Sequence, residues 1–463
     1  MLSDQEKELV AACRQRVLTR RRSNTEALSY YDGTAKVKNL DIAVPPTLAQ
    51  IGVVSDWPAT VVNTHVERMN FEAWADSGRF GMDELADQLQ ASSKITEAVL
   101  DSAIFGVAFL AMEHDGDQWH LRSVSPLEGT LLWDANTGRP YAGYRRGETD
   151  TGDAVEVLYL PGRNVVIRTG ERGTTTAEYT TIPGEVVIHR IRNGMRSRRW
   201  YGASMITPAV RYYTEAAART LLGMEVNREF YTTPQRYAMN ADMSLFTESD
   251  EPSRSEMIEA GWRATAGTFL TVPPPEDGDP ETKLGQFTPA SPEPYVAQLR
   301  TYSQLIASAS GIPSSYLGFS TDNPPSGDAI RAWMDRLIRR VEGQHRVLSP
   351  DMRRLGWNIS MLLGERVEWE AFARSVSEQW TNPATVMLGA AADAGQKLVA
   401  AGVLGKDSSV LHDLLGLTSA QRRQLAKEQR SDGLERLRKT IEAKGALEPS
   451  AEAIALADKR GEA

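Results

Sequence analysis

The stretch Gly311-Ile312-Pro313-Ser314-Ser315-Tyr316-Leu317-Gly318, continued by Asp322-Asn323-Pro324-Pro325-Ser326-Gly327-Asp328-Ala329-Ile330-Arg331, sets the reading of the whole chain. Proline and glycine at this density cannot continue a helix, so 311–327 is an irregular connection between two helices. Ser326 or Asp328 is placed to cap the incoming helix. Apolar residues then recur at helical spacing in two stripes: Ile330, Trp333, Leu337 and Val341, followed by Leu348, Met352, Leu355, Ile359 and Leu362. Together they predict one very long helix over about 328–364. Pro350 lies between the stripes and removes a backbone hydrogen bond, which predicts a kink or a break. On the other side of the connection a helix is predicted from about Pro292 to Ser310.

Further upstream, 232–291 has a different character. It is Pro-rich and acidic, with nine acids against two bases over 247–281, a charge of −7. A short strand is expected at Gly267–Val272 within it. A helix is predicted from Ile206 to about Tyr231, with Ile206, Val210, Ala217, Leu221 and Met224 near one face and Pro208 in its first turn. Between about 107 and 190 the pattern turns to β. Val107–Leu110, Val155–Tyr159 and Asn164–Ile167 are apolar runs, and Asp115-Gly116, Asn136-Thr137-Gly138 and Pro161-Gly162 punctuate them. The β region closes with Gly184–His189. Arg190, Arg192, Arg196, Arg198 and Arg199 follow with no acid among them, which suits a contact surface facing an acidic neighbour or DNA.

At the N-terminus a helix is predicted over 3–22, with Ser3 as N-cap and Glu6 three residues on. Arg14, Arg16, Arg20, Arg21 and Arg22 fall in its second half. They read either as cations near a helix C-terminus or as a phosphate-binding arm, and short arginine runs are usually solvated faces. Helical patterns follow at about 58–74 and 83–105, with Trp57 before Pro58 placed to staple a helix start. After Thr381-Asn382-Pro383 the chain is helical and Ala-rich, and Lys397–Leu404 runs into Gly405 as a helix stop. From 421 onward ten basic and eight acidic residues alternate, the pattern of a solvated helix fraying towards its end.

With 463 residues the chain is long enough for two to four compact units, and 41% apolar residues can fill several cores. No apolar run approaches the length of a membrane span, and the polar, acidic N-terminus does not read as a secretory signal. The single cysteine, Cys13, excludes an intrachain disulfide and a Cys-based metal cluster, and points to synthesis in a reducing cytoplasm. A net charge of −9 argues against a sequence-reading DNA-binding domain. It is compatible with a protein past which DNA slides, because an acidic wall repels phosphate.

Catalytic constellations are missing. The nearest approach to a phosphate-binding loop, Gly402–Lys406, is too short and is followed by Asp407. His65, His114, His120, His189, His345 and His412 include no zinc spacing, and no G-x-S-x-G turn occurs. Asp242, Glu248 and Asp250 lack the glycine and distal glutamate of a calcium loop. Trp333 and Trp357 sit in apolar stripes, so core or inter-subunit packing is favoured over base stacking. A non-enzymatic protein without cofactor is expected.

The connection and helix quoted at the outset resemble the portal proteins of long-tailed phages, especially those infecting actinobacteria. That family runs from a helix into G-[IT]-P-x-x-[YL]-L-G, a short Asn/Ser/Pro loop, and a Ser-x-x-A-[IL] start to its longest helix. Gly327 before Asp328 departs from the Ala-Asp or Ala-Glu often found there. Leu284-Gly285-Gln286-Phe287 and Tyr30-Tyr31-Asp32-Gly33 add to the likeness, which covers about residues 20–420 in order of elements.

The resemblance implies an α+β, mainly helical portal fold with wing, stem, clip and crown. The N-terminal arm and wing would span 1–205, with the β-rich part at about 107–190. Stem helices would lie at 206–231 and 292–310, flanking a clip at 232–291. The tunnel-loop region would be 311–327, and 328–383 the long kinked helix crossing the wing and its return. A crown at 384–440 and a flexible tail at 441–463 complete it. It further implies a twelve-fold ring at one capsid vertex of the virion, assembled in the host cytoplasm, as the channel for genome packaging and ejection. Partners would be the major capsid protein, scaffold if present, the terminase large subunit, the head–tail adaptor and double-stranded DNA without sequence specificity, with no membrane. Ser320, Thr321, Asp322, Asn323, Pro324, Pro325 and Ser326 would face DNA, and Glu276, Asp277, Asp279 and Glu281 would contact partners on the clip. The alternatives are another phage head structural protein or a nucleic-acid-processing protein. Capsid subunits lack the long helix fed by such a loop, adaptors are much shorter, and an enzyme would need a metal or nucleophile cluster.

Overall fold

A computed structural model describes most of residues 2–36, 56–240 and 269–429; the longer stretches outside the described residues are 37–55, 241–252, 254–268, 273–280, 319–325 and 440–463. The elements begin with α1 (Asp4–Tyr31), α2 (Trp57–Val66), β1 (Phe71–Ala75), α3 (Met82–Gln88) and α4 (Ala91–Phe105). The β region follows as β2 (Val107–His114), β3 (Trp119–Val124), β4 (Gly129–Trp133), β5 (Pro140–Glu148), β6 (Ala154–Leu160), β7 (Arg163–Thr169), β8 (Thr175–Thr181) and β9 (Ile188–Arg192). Next come α5 (Pro208–Thr232), β10 (Arg236–Met239), β11 (Phe269–Val272), β12 (Lys283–Gln286), α6 (Glu293–Ser310) and α7 (Gly327–Leu363). The chain continues through α8 (Trp369–Ser375), β13 (Ser377–Trp380), α9 (Leu388–Ala400) and α10 (Ser409–Leu414). The fold is thus mixed helix and sheet, mainly helical. It divides into a first unit (Met1–Glu67, Glu97–Ala111, Arg122–Val347) and a second (Arg68–Thr96, Met112–Leu121, Leu348–Ala463).

In the first unit, β4 to β8 form an antiparallel sheet in sequence order, because strands close in sequence pair with their neighbours. Val10, Cys13 and Val17 of α1 form one core with Leu132, Ala142, Tyr144, Leu158, Leu160, Val165 and Ile167 of this sheet. Burial pushes the Cys13 thiol up to about 12, so it is an inert packing residue. The capping box forms: the Ser3 hydroxyl accepts from the Glu6 amide, and Glu6 Oε2 accepts from the Ser3 amide at 2.8 Å. The helix does not end at 22. Asn24, Ala27 and Tyr30 are buried, and their packing carries it to Tyr31, which places the arginine run in mid-helix rather than at a C-terminus. Arg14 Nε donates to Glu156 at 2.7 Å, and Tyr144 donates to the same buried carboxylate. Burial alone would raise the Glu156 carboxyl, but these hydrogen bonds outweigh it and hold it below its ordinary value.

Also in this unit, α5 and α6 pack together along their lengths. Gly223 leaves room for the Tyr295 ring, and Tyr213 stacks on Tyr302 at 6.3 Å. Asp101 on α4 is largely buried beside Ser125. Burial pushes its carboxyl up to about 6, against the pull of the Ser125 hydrogen bond and with help from Glu128 and Glu97. A carboxyl raised on folding contributes stability that is present below about pH 4 and lost as pH rises towards 6. Asp101→Asn is therefore expected to be neutral at pH 4 and to stabilise by about 2 kcal/mol at pH 8, after discounting for partial exposure. Urea titrations across that range check this, and a pH-independent difference would rule the carboxyl out as the cause.

The second unit corrects the helical reading of 58–74. After Val66 the chain turns, and Phe71–Ala75 pairs antiparallel with Ser377–Trp380, Phe71 opposite Trp380. An apolar run this short has no period of its own, and its partner lies some 300 residues away. Phe71 packs edge-on to Trp380, and Trp74 Nε1 donates to the Met352 carbonyl at 2.9 Å with its ring against Gly356. Leu348, Met352, Leu355 and Ile359 are fully buried, as their stripe requires. Arg353 makes a two-pronged pair with the buried Glu378 at 2.6 and 2.9 Å. Helix α9 stops at Ala400 rather than at Gly405, because Gly402 takes the left-handed turn at φ 70°.

Helix α7 runs through Pro350 without interruption, so the break does not occur. The proline forfeits one bond, to the Arg346 carbonyl, while fully buried Leu348 and Met352 on either side hold the helical geometry.

Candidate functional site: the interhelix connection and a basic aromatic pocket

The connection is built by its glycines and prolines. Gly311 ends α6 in the left-handed conformation at φ 75°, and Pro313 leads into a tight turn over Ser314–Leu317 closed by Gly318 at φ 90°. Ile312 and Leu317 are buried and anchor it. Arg340 of α7 donates to the carbonyls of Ser310 and Ala309, a cation satisfying the end of α6. Of the candidate loop residues, Ser320, Thr321, Asp322, Asn323, Pro324 and Pro325 lie outside the described residues. Ser326 is the cap: its hydroxyl accepts from the Ala329 amide at 3.3 Å and its carbonyl from Ile330 at 3.0 Å.

The first stripe of α7 splits. Leu337 and Val341 are fully buried, whereas Ile330 and Trp333 are 44% and 46% exposed. The acidic region holds a three-stranded sheet in which β10 pairs parallel with β11 and antiparallel with β12. It includes the expected strand, at Phe269–Val272. Met239, Leu284 and Phe287 are exposed on this region. Glu276, Asp277 and Asp279 lie outside the described residues, and Glu281 is exposed, its backbone carbonyl accepting from Asn240 Nδ2 at 3.2 Å.

The two arginine runs come together in part. Arg190 on β9 stacks on the Trp133 ring at 5.3 Å and donates to the Trp200 carbonyl at 3.3 Å. From α1, Arg16 donates to the Tyr201 hydroxyl at 3.3 Å and Arg20 lies 4.0 Å over the Tyr201 ring. Trp133 sits 5.9 Å from Trp200 and 5.5 Å from Tyr201. Arg16, Arg20, Trp133, Trp200, Tyr201 and Gly202 line a half-open cavity of about 500 Å³. Arg14 is not part of it, being spent on Glu156. Arg192 follows on β9, its carbonyl accepting from Gln344 at 2.7 Å; Arg196 is exposed, and Arg198 and Arg199 lie outside the described residues. Sequence reading missed Trp133, Trp200 and Tyr201 as walls; the one local signal was Trp200-Tyr201 directly after an arginine run.

Among the described residues no cluster of His, Cys, Asp and Glu could hold a metal ion, and no helix is long and apolar enough to cross a membrane.

No protein-family model matches the chain. It is 26% identical over 401 residues to the portal protein of Mycobacterium phage D29, covering 81% of this chain and 78% of that protein. The portal protein of Mycobacterium phage L5 is likewise 26% identical over 400 residues, with the same coverage. Among solved structures, the neck of a native GTA particle computed with C12 symmetry aligns at a TM-score of 0.43 and 12% identity, over 85% of this chain and 99% of that one. A chain from the virion of a native gene transfer agent particle aligns at 0.44 and 12%, over 85% and 93%. The chain therefore resembles tailed-bacteriophage portal proteins over four fifths of its length, as the motif leading into α7 implies.

Proposed function

We propose that the chain is a portal subunit, the head-to-tail connector of a tailed-phage capsid. The observation that carries this reading is the sequence similarity to two phage portal proteins along 81% of the chain. The exposed start of α7 supports it, because Ile330 and Trp333 present apolar surface that a neighbouring copy would cover. In this reading twelve copies close head-to-tail into a ring at one capsid vertex of the virion, assembled in the host cytoplasm. The major capsid protein, and scaffold if present, surround it. Helices α5 and α6 form the stem, and the acidic region between them is the clip. There Glu276, Asp277, Asp279 and Glu281 meet the terminase large subunit and later the head–tail adaptor. The loop Ser320–Ser326 faces double-stranded DNA; it carries Asp322 and no Lys or Arg, so it gates by size without clamping phosphate.

Negative-stain imaging of the purified full chain tests the reading: closed rings with a central channel are expected without ligand or metal. A single-subunit species at every concentration and salt would defeat it. Deleting 321–325 and closing the gap with glycines should leave rings intact and lower phage titre. Neutralising the four clip acids should leave rings intact and weaken terminase capture at low salt.

A further inference from the structure

Arg16 and Arg20 of α1 meet Trp133 of β4 and Trp200 and Tyr201 of the segment after β9 around one cavity. No carboxylate is among its described lining residues. Asp134, next to Trp133, turns its carboxylate into its own loop, accepting from the Asn136 amide at 2.8 Å and the Thr137 hydroxyl at 3.0 Å. Arg20 Nε is buried and has no hydrogen-bond acceptor among the described residues. Burial, with the nearby charge of Arg16, lowers the Arg20 proton affinity, and no carboxylate pairs with Arg20 among the described residues. An oxyanion would supply both the missing acceptor and the missing charge.

The cavity offers a second kind of surface. Trp133 and Trp200 lie tilted at 34° to one another, and Trp200 is 41% exposed. Flat indoles beside guanidiniums suit a ligand that carries a flat ring next to its oxyanion. An acidic side chain would use the guanidiniums and leave the indoles unused. A volume of about 500 Å³ is in the range for such a small ligand. We infer that this pocket binds a nucleotide, its phosphate held by Arg16 and Arg20 and its base against Trp133 and Trp200. The inference is independent of the portal reading, since it rests on this cavity alone.

The test is titration of the full chain, followed by equilibrium dialysis, with dAMP, inorganic phosphate, a short 5′-phosphorylated single strand, a blunt duplex and hexaglutamate. Saturable dAMP binding is expected, with inorganic phosphate weaker by about tenfold for want of a base to stack. Arg20→Gln and Trp200→Ala should each weaken dAMP binding by about tenfold or more, and Trp200→Ala, at an exposed position, should leave the melting temperature unchanged. Tighter binding of the single strand than of dAMP would make a strand end the source of the nucleotide; the reverse would make it a free nucleotide. Absence of saturable binding by both, affinity unchanged in the two variants, or phosphate or hexaglutamate binding as tightly as dAMP would overturn the inference.

Discussion

Gly202→Ala is expected to destabilise the first unit by about 3–5 kcal/mol, among the largest effects of any single methyl in this chain. Gly202 sits in the left-handed region at φ 60°, which costs any residue with a Cβ about 1 kcal/mol. A Cβ there would also fall well under 3.0 Å from the carbonyl oxygens of Gly106 and Asn193. These are backbone atoms held in place. The Asn193 amide donates to the Gly106 carbonyl at 2.9 Å, and the Ala203 amide donates to the Asn193 carbonyl at 2.9 Å. Three chain segments cross here at backbone distance, so no flexible side chain can yield. Gly162→Ala is the control: it shares a positive φ, 83°, but a Cβ there meets nothing within 4 Å. Thermal denaturation of the full chain should show a drop of about 10 °C for Gly202→Ala and a much smaller one for the control. Equal shifts would mean that backbone conformation, and not the crossing, sets the cost.

Trp333→Asp is expected to abolish rings while leaving the subunit folded. Trp333 and Ile330 continue the stripe that buries Leu337 and Val341, yet both are exposed in the single chain. If a neighbouring copy covers them, an aspartate would trade a buried aromatic anchor for a desolvated charge, about 2 kcal/mol or more at every interface of the ring. The isolated subunit should lose little, because substitutions at exposed sites usually change stability by less than about 0.5 kcal/mol. Sedimentation velocity checks both halves. Rings as abundant as wild type would show that this face is not an interface, and a large fall in melting temperature would show that it is part of the subunit core.

Much of the local structure was legible. The Ser3–Glu6 capping box, the glycine and proline punctuation around Ile312–Gly318, the cap at Ser326 and the strand run from Val107 follow from residues within a few positions of one another. The motif leading into α7 also carried the resemblance that the two mycobacteriophage portal proteins support. Boundaries failed where burial overrode local preference. The first helix runs past Arg22 to bury Ala27 and Tyr30. The long helix α7 has the bounds its two stripes predict, and it is continuous through Pro350 between two fully buried residues. Phe71–Ala75 misread as helix because its identity as a strand depends on Ser377–Trp380.

By itself the sequence determined the long amphipathic helix and the acidic region between two helices. Spacing, caps and charge act over a turn or two of chain, and those are written in adjacent residues. Only the tertiary structure decided which arginines are structural and which are available: Arg14 is spent on Glu156, while Arg16 and Arg20 meet Trp133, Trp200 and Tyr201 around a cavity. All three arginines share one helix, and helical spacing alone cannot separate their roles. Their partners lie more than a hundred residues away, and which guanidinium finds a carboxylate is settled only when α1 lies down on the sheet.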